Sequence, residues 1–126
     1  MAQPSTRTGA RVNPPPTPGA IAVFEEGGQY ILREGETSVP LYTFDKDGHG
    51  RSACNGACAA AWPPVVASAE AKPVGEWTTI KRDDGTLQWA WRGKPVYSYA
   101  KDTPENPTGD GVGGVWRLLP SMPSRR

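Results

Sequence analysis

Apolar side chains recur at every second position in short runs, and glycine, proline or aspartate closes each run. That spacing is the strand period, in which alternate residues face opposite sides of a sheet. Residues 20–24 are β-rich and end at Gly27-Gly28, and residues 29–33 resume as a strand. Residues 39–44 alternate, with Leu41 opposed to Tyr42, as in a strand buried on one face. Trp77–Lys81 precedes Asp84-Gly85, a two-residue hairpin signal that leads into Leu87–Trp91. Arg92-Gly93-Lys94 is a second tight turn before residues 96–99, and residues 114–119 form a final strand. One stretch breaks the period. Residues 55–62 are Ala-rich, with Asn55 placed to cap a short helix and Pro63-Pro64 placed to end it.

The chain also repeats itself. Pro40-Leu41-Tyr42-Thr43-Phe44-Asp45-Lys46-Asp47 and Pro95-Val96-Tyr97-Ser98-Tyr99-Ala100-Lys101-Asp102 share one pattern at an offset of 55. Upstream, Gln29-Tyr30-Ile31-Leu32 corresponds to Gln88-Trp89-Ala90-Trp91; downstream, Trp62 corresponds to Trp116. Internal repetition fixes architecture more firmly than a single motif does. The expected fold is mainly β: a small antiparallel sandwich or partly open barrel of two similar halves, with one short helix after Asn55. Residues 1–19 read as a disordered Pro-rich linker. Residues 20–119 form a single domain with repeats at about 28–66 and 87–119, and residues 120–126 form a disordered tail.

Composition sharpens this picture. The 126 residues include 15 Gly and 14 Pro, which favours short elements and tight turns. Five Trp, four Tyr and two Phe must then supply much of any core. Fourteen basic side chains nearly balance 13 acidic ones without a basic stripe, so nucleic acid is a poor partner. No apolar run approaches ~20 residues, so no transmembrane helix is expected. Residues 1–19 lack the apolar segment of a signal peptide.

The candidate chemistry is sparse. Cys54 and Cys58 are spaced neither as a thioredoxin-like pair nor as a haem attachment site. They form either a disulfide or, with His49, a soft-metal site for Cu(I), with free or redox-active thiols a third reading. Asp47 and Asp102 follow their aromatic strands and accept turn hydrogen bonds; a weaker reading adds Asp45 or Asp110 as oxygen ligands for a cation. Tyr42, Phe44, Tyr97 and Tyr99 alternate, which places at least one of each pair in the core. Trp89, Trp91 and Trp116 serve as core or line a groove for a sugar or another apolar-faced ligand. No nucleophile elbow, P-loop or zinc-protease motif is present, so a non-enzymatic role is expected.

The segments Tyr42-x-Phe44-x-x-Asp47 and Tyr97-x-Tyr99-x-x-Asp102 resemble a family of bacterial secreted or lipoprotein repeats of unknown function. Cys54-Asn55-Gly56-Ala57-Cys58-Ala59, Trp62-Pro63-Pro64, Gly93-Lys94-Pro95 and Gly109-Asp110-Gly111-Val112-Gly113-Gly114-Val115-Trp116 carry the resemblance further. It spans roughly residues 28–119. The resemblance implies an extracytoplasmic setting, in the periplasm, at the cell surface or secreted, often with a lipid anchor. It supplies no established activity. This chain shows neither a signal peptide nor a lipidated N-terminal cysteine, and an oxidising compartment favours the disulfide. The expected function is a secreted or envelope module that binds a partner protein or surface through its loops. A periplasmic Cu(I)-binding or redox protein, with copper as its cofactor, and a ligand-binding domain with an exposed Trp/Tyr groove are the alternatives.

Overall fold

The computed structural model describes residues 11–125. Two antiparallel sheets account for most of the regular secondary structure. The smaller contains β1 (Ile21–Glu26), β2 (Gln29–Glu34) and β9 (Met122–Pro123), in the order β1-β2-β9. The larger contains β3 (Tyr42–Phe44), β4 (Val66–Ala67), β5 (Trp77–Lys81), β6 (Leu87–Trp91), β7 (Lys94–Tyr97) and β8 (Trp116–Leu118). Its path runs β4-β6-β7-β3-β8, with β5 on the free edge of β6, and the sheet does not close into a barrel. A short α-helical turn, α1 (Ala57–Ala61), lies between β3 and β4, and a 3-10 turn (Val112–Gly114) precedes β8.

Local chemistry accounts for the turns. Gly27 and Gly28 both have positive φ, as do Arg92 and Gly93, so each pair makes the two-residue hairpin that matches strand twist. The β5–β6 hairpin differs from its two-residue expectation. Lys81 pairs with Leu87, and Arg82 and Thr86 close a three-residue loop in which Gly85 takes φ 89°. Asp84 draws the loop out by accepting from both the backbone and the hydroxyl of Thr86. Asn55 does not cap α1. The N-cap is Gly56, without a side-chain bond, because Asn55 donates to Asp83 and accepts from Arg82.

The expectation that residues 39–44 are buried on one face is corrected. Leu41 and Tyr42 are both fully buried, and so are Val96 and Tyr97. Leu41 and Val96 enter a core between the sheets with Ile21, Leu32, Trp77, Trp89 and Trp91. Tyr42 and Tyr97 enter a second core with Cys54, Trp62 and Trp116. The larger sheet is therefore covered on both faces, because the loops leading to Trp62 and to Trp116 of β8 fold back over the side away from the small sheet.

The two halves exchange strands. The backbone after Trp62, in the first repeat, pairs with β7 of the second: Ser98 donates to Pro63, and Val65 donates to Val96. The backbone on either side of Trp116 pairs with β3 of the first: Asp45 donates to Val115, and Leu119 donates to Leu41. At the centre β3 and β7 run antiparallel, with Tyr42 opposite Tyr97. These reciprocal contacts are those that a local twofold axis generates.

Parts of the expected linker and tail make contacts with the sheets among the described residues. Met122-Pro123 pairs with β2, and the Ser124 carbonyl accepts from the Val12 amide. Tyr30 donates to the Val12 carbonyl, and Arg11 pairs with Glu25. A proline-rich segment has little freedom to lose when pinned in this way. Residues 1–10 of the expected linker lie outside the described residues.

Replacing Tyr42 or Tyr97 by Ala should cost about 3–5 kcal/mol, the usual loss for a buried large aromatic. Denaturant unfolding measures it. A loss below about 1.5 kcal/mol would mean that the ring does not support the core.

Candidate functional site

The repeat motif builds one structure twice, and each copy completes the other. Tyr97 donates to Asp47 at 2.7 Å, and Tyr42 donates to Asp102, so each phenol reaches across to the aspartate of the opposite repeat. The second oxygen of each carboxylate accepts from its own loop six residues on: Ala53 for Asp47 and Thr108 for Asp102. Asp is needed here because a short side chain must accept from a turn and from a buried phenol together.

Between these pairs lies a column of aromatic rings. Trp62 and Trp116 stack with centroids 3.8 Å apart and planes within 4°. Phe44 lies on the far face of Trp116 at 4.2 Å, and Tyr99 on the far face of Trp62 at 3.9 Å. Tyr42 meets Trp62 edge-on, and Tyr97 meets Trp116 edge-on. Gly109 makes this approach possible. A Cβ there would lie 2.8 Å from the Tyr42 ring and 2.9 Å from Trp62, while its N–H donates to the Tyr42 hydroxyl.

The first half adds a buried polar network. Because the Tyr97 proton is directed at Asp47, Ser52 donates to Tyr97 and accepts from Arg82 and the Cys54 amide. Arg82 is buried and also donates to Gln88, to the Cys54 carbonyl and to Asn55. Gln88 passes the network on to the Val96 carbonyl. Arg82 and Ser52 were not singled out from sequence. An Arg between a strand and a hairpin Asp reads as exposed, and nothing local marks it otherwise.

Cys54 and Cys58 are joined in a disulfide that pins α1 beneath Trp62. These are the same two sulfurs that the Cu(I) reading would use as ligands. His49 lies over Gly93, where any Cβ would fall 2.0 Å from its ring. Among the described residues, no group of three His, Cys, Asp or Glu side chains is placed to share an ion. Asp45 pairs with Arg117, and Asp110 accepts from the Leu118 amide, so neither joins Asp47 or Asp102 as a ligand set.

The exposed Trp groove is overturned. Trp89, Trp91 and Trp116 are only 5, 7 and 4% exposed, and the first two lie in a different core from the third. A chain this rich in Gly and Pro uses its large rings to fill space.

One concave surface lies across the outer side of β2. Two adjoining cavities, of about 420 and 440 Å³, share Arg33 and Pro107. Phe24 and Pro104 line one, and Ile31, Pro40 and Leu118 line the other. Arg33 donates to the carbonyls of Ser38 and Pro104, and its buried Nε has no acceptor among the described residues. Phe24 and Leu118 are among the few large apolar side chains left exposed. Sequence reasoning missed this groove because its walls come from five separated segments.

Burial holds the hydroxyls of Tyr42 and Tyr97 well above the ordinary phenol range; the neighbouring carboxylates Asp102 and Asp47 add to this. Burial also raises the Asp47 carboxyl, against the Ala53 amide and the Tyr97 hydroxyl, which lower it. For a phenol whose folded pKa lies above its unfolded value, the stabilisation is intact below the ordinary value of 10.0 and is lost as pH rises beyond it. Melting temperature should therefore fall above about pH 10, with Tyr42 and Tyr97 ionising only as the domain unfolds. Ultraviolet titration checks this; two phenols ionising normally in the folded state would contradict it. Replacing Cys54 and Cys58 by Ala should lower stability by about 2 kcal/mol, from the short loop they close. An unchanged melting temperature would show that the disulfide adds nothing.

No curated protein and no solved structure matches the chain. A family model, Lipoprotein_15, described as a secreted repeat of unknown function, matches residues 36–66 and 78–119. The two matched regions hold both copies of the tyrosine–aspartate motif, both stacked tryptophans and the disulfide. They cover more than half of the sequence, and the chain therefore belongs to this family of secreted repeats.

Proposed function

We propose that this domain is a non-catalytic binding module, working in the envelope or outside a bacterial cell, that holds an extended segment of a partner protein in the groove along β2. The groove itself is the observation that carries this reading. It joins two cavities through Arg33 and Pro107 and leaves Phe24 and Leu118 at its rim. Apolar walls with a few fixed polar groups suit a peptide whose side chains alternate along an extended backbone. Arg33 lines both cavities and sets a cationic group where they join. The interlocked halves support the reading by fixing the loop 104–110, which borders both cavities. The Cys54–Cys58 disulfide supports an oxidising compartment, and no helix among the described residues is long and apolar enough to cross a membrane.

Peptides selected from a random extended library on the native domain should bind in this groove. Leu118→Asp and Phe24→Ser change exposed side chains and should leave the fold intact. Each should weaken the selected peptides by about tenfold or more, measured by calorimetric titration. Equal affinity for wild type and both variants would place the binding surface elsewhere.

A further inference from the structure

The aromatic column does more than fill a core. Its four rings stand face to face at 4.2, 3.8 and 3.9 Å in the order Phe44, Trp116, Trp62, Tyr99. Phe44 and Tyr99 are half-buried at the two ends, and the indoles between them are buried. The ends differ chemically. Tyr99 carries an oxidisable phenol to the surface, whereas Phe44 is a benzene ring that resists oxidation. Each indole also touches a second tyrosine edge-on, Tyr42 at 5.4 Å and Tyr97 at 5.2 Å, and each of those phenols donates to a carboxylate. An ordinary core asks only that rings be packed. This one places two oxidisable indoles in contact and gives each neighbouring phenol its own proton acceptor.

We propose that the column is a one-electron relay, which takes an oxidising equivalent at Tyr99 and holds it as a neutral tyrosyl radical on Tyr42 or Tyr97. The oxidant is an outer-sphere metal centre that gains one electron. The electron leaves the Trp62–Trp116 pair by way of Tyr99, and the pair becomes a radical cation shared over two rings. That pair then takes an electron from Tyr42, whose phenolic proton moves to Asp102, or from Tyr97, whose proton moves to Asp47. The products are neutral indoles, one tyrosyl radical and one carboxylic acid. A small reductant of the ascorbate type returns one electron, and the carboxylic acid returns the proton. Because Tyr42 and Tyr97 are fully buried, water and other radicals are kept from the product. The raised proton affinity of Asp47 favours the transfer at that site.

The test uses the full chain and photogenerated tris(bipyridine)ruthenium(III) as the oxidant. Transient absorption should show an indole radical cation that decays into a tyrosyl radical. In Tyr42→Phe/Tyr97→Phe, which keeps both rings in place, the tyrosyl signal should be lost and the indole radical cation should persist. In Asp47→Asn/Asp102→Asn, the indole-to-tyrosine step should slow by a factor on the order of 10², the scale of a positioned proton acceptor. The wild-type step should also slow in heavy water, a readout that merely structural carboxylates would not move and that needs no folded variant. An unchanged tyrosyl yield in the double Phe variant would place the radical on Tyr30 or Tyr99 and overturn the proposal. So would a wild-type step at the same rate in light and heavy water.

Discussion

Everything in this domain depends on one constraint: neither repeat can close its own core. Each lends the other a strand segment, a phenol and a stacking ring. The backbone after Trp62 completes the sheet beside β7, and the backbone on either side of Trp116 completes it beside β3. Tyr97 satisfies Asp47, and Tyr42 satisfies Asp102. Removing one half would leave a buried carboxylate without its phenol and an indole face without its partner, and unpaired buried polar groups are costly.

This constraint explains how a Gly- and Pro-rich chain makes a rigid object. Short strands of two to six residues offer few ladder bonds each, and short sheets are marginal without a covered face. Here the large sheet is covered twice, by the small sheet on one side and by the returning loops on the other. Arg82 gives one loop a second anchor by holding Ser52, Cys54 and Asn55 from the β5–β6 hairpin. The disulfide fixes the same loop covalently. The second loop has neither device; Gly109 lets its backbone lie directly against Tyr42 and Trp62. Two different local solutions therefore hold two equivalent tryptophans in one stack.

Much of this was legible in the sequence. Alternation placed the strands, and the paired Tyr-x-aromatic-x-x-Asp segments announced two similar halves. What alternation cannot reveal is which half a side chain serves. Asp47 reads locally as a turn residue, which it is for Ala53, and its longer reach to Tyr97 appears only once β3 and β7 are side by side. The same limit hid the groove, whose walls are brought together by topology. It also made Trp89, Trp91 and Trp116 look like ligand-binding rings, since a large aromatic in a small domain fits either role until burial is known. The pairing of Met122-Pro123 with β2 is hidden for a related reason: the segment has no periodic pattern of its own.

Native-state hydrogen exchange at the amides that cross between the halves tests the interlock most directly. Asp45 and Leu119 donate from or into one exchanged segment, Val65 and Ser98 from or into the other. An interlocked domain opens these four amides in a single event, with the same free energy and the same denaturant dependence as global unfolding. Exchange of Asp45 and Leu119 at a lower free energy than Val65 and Ser98, or the reverse, would show that one half opens while the other stays closed, and would contradict the mutual dependence of the two halves.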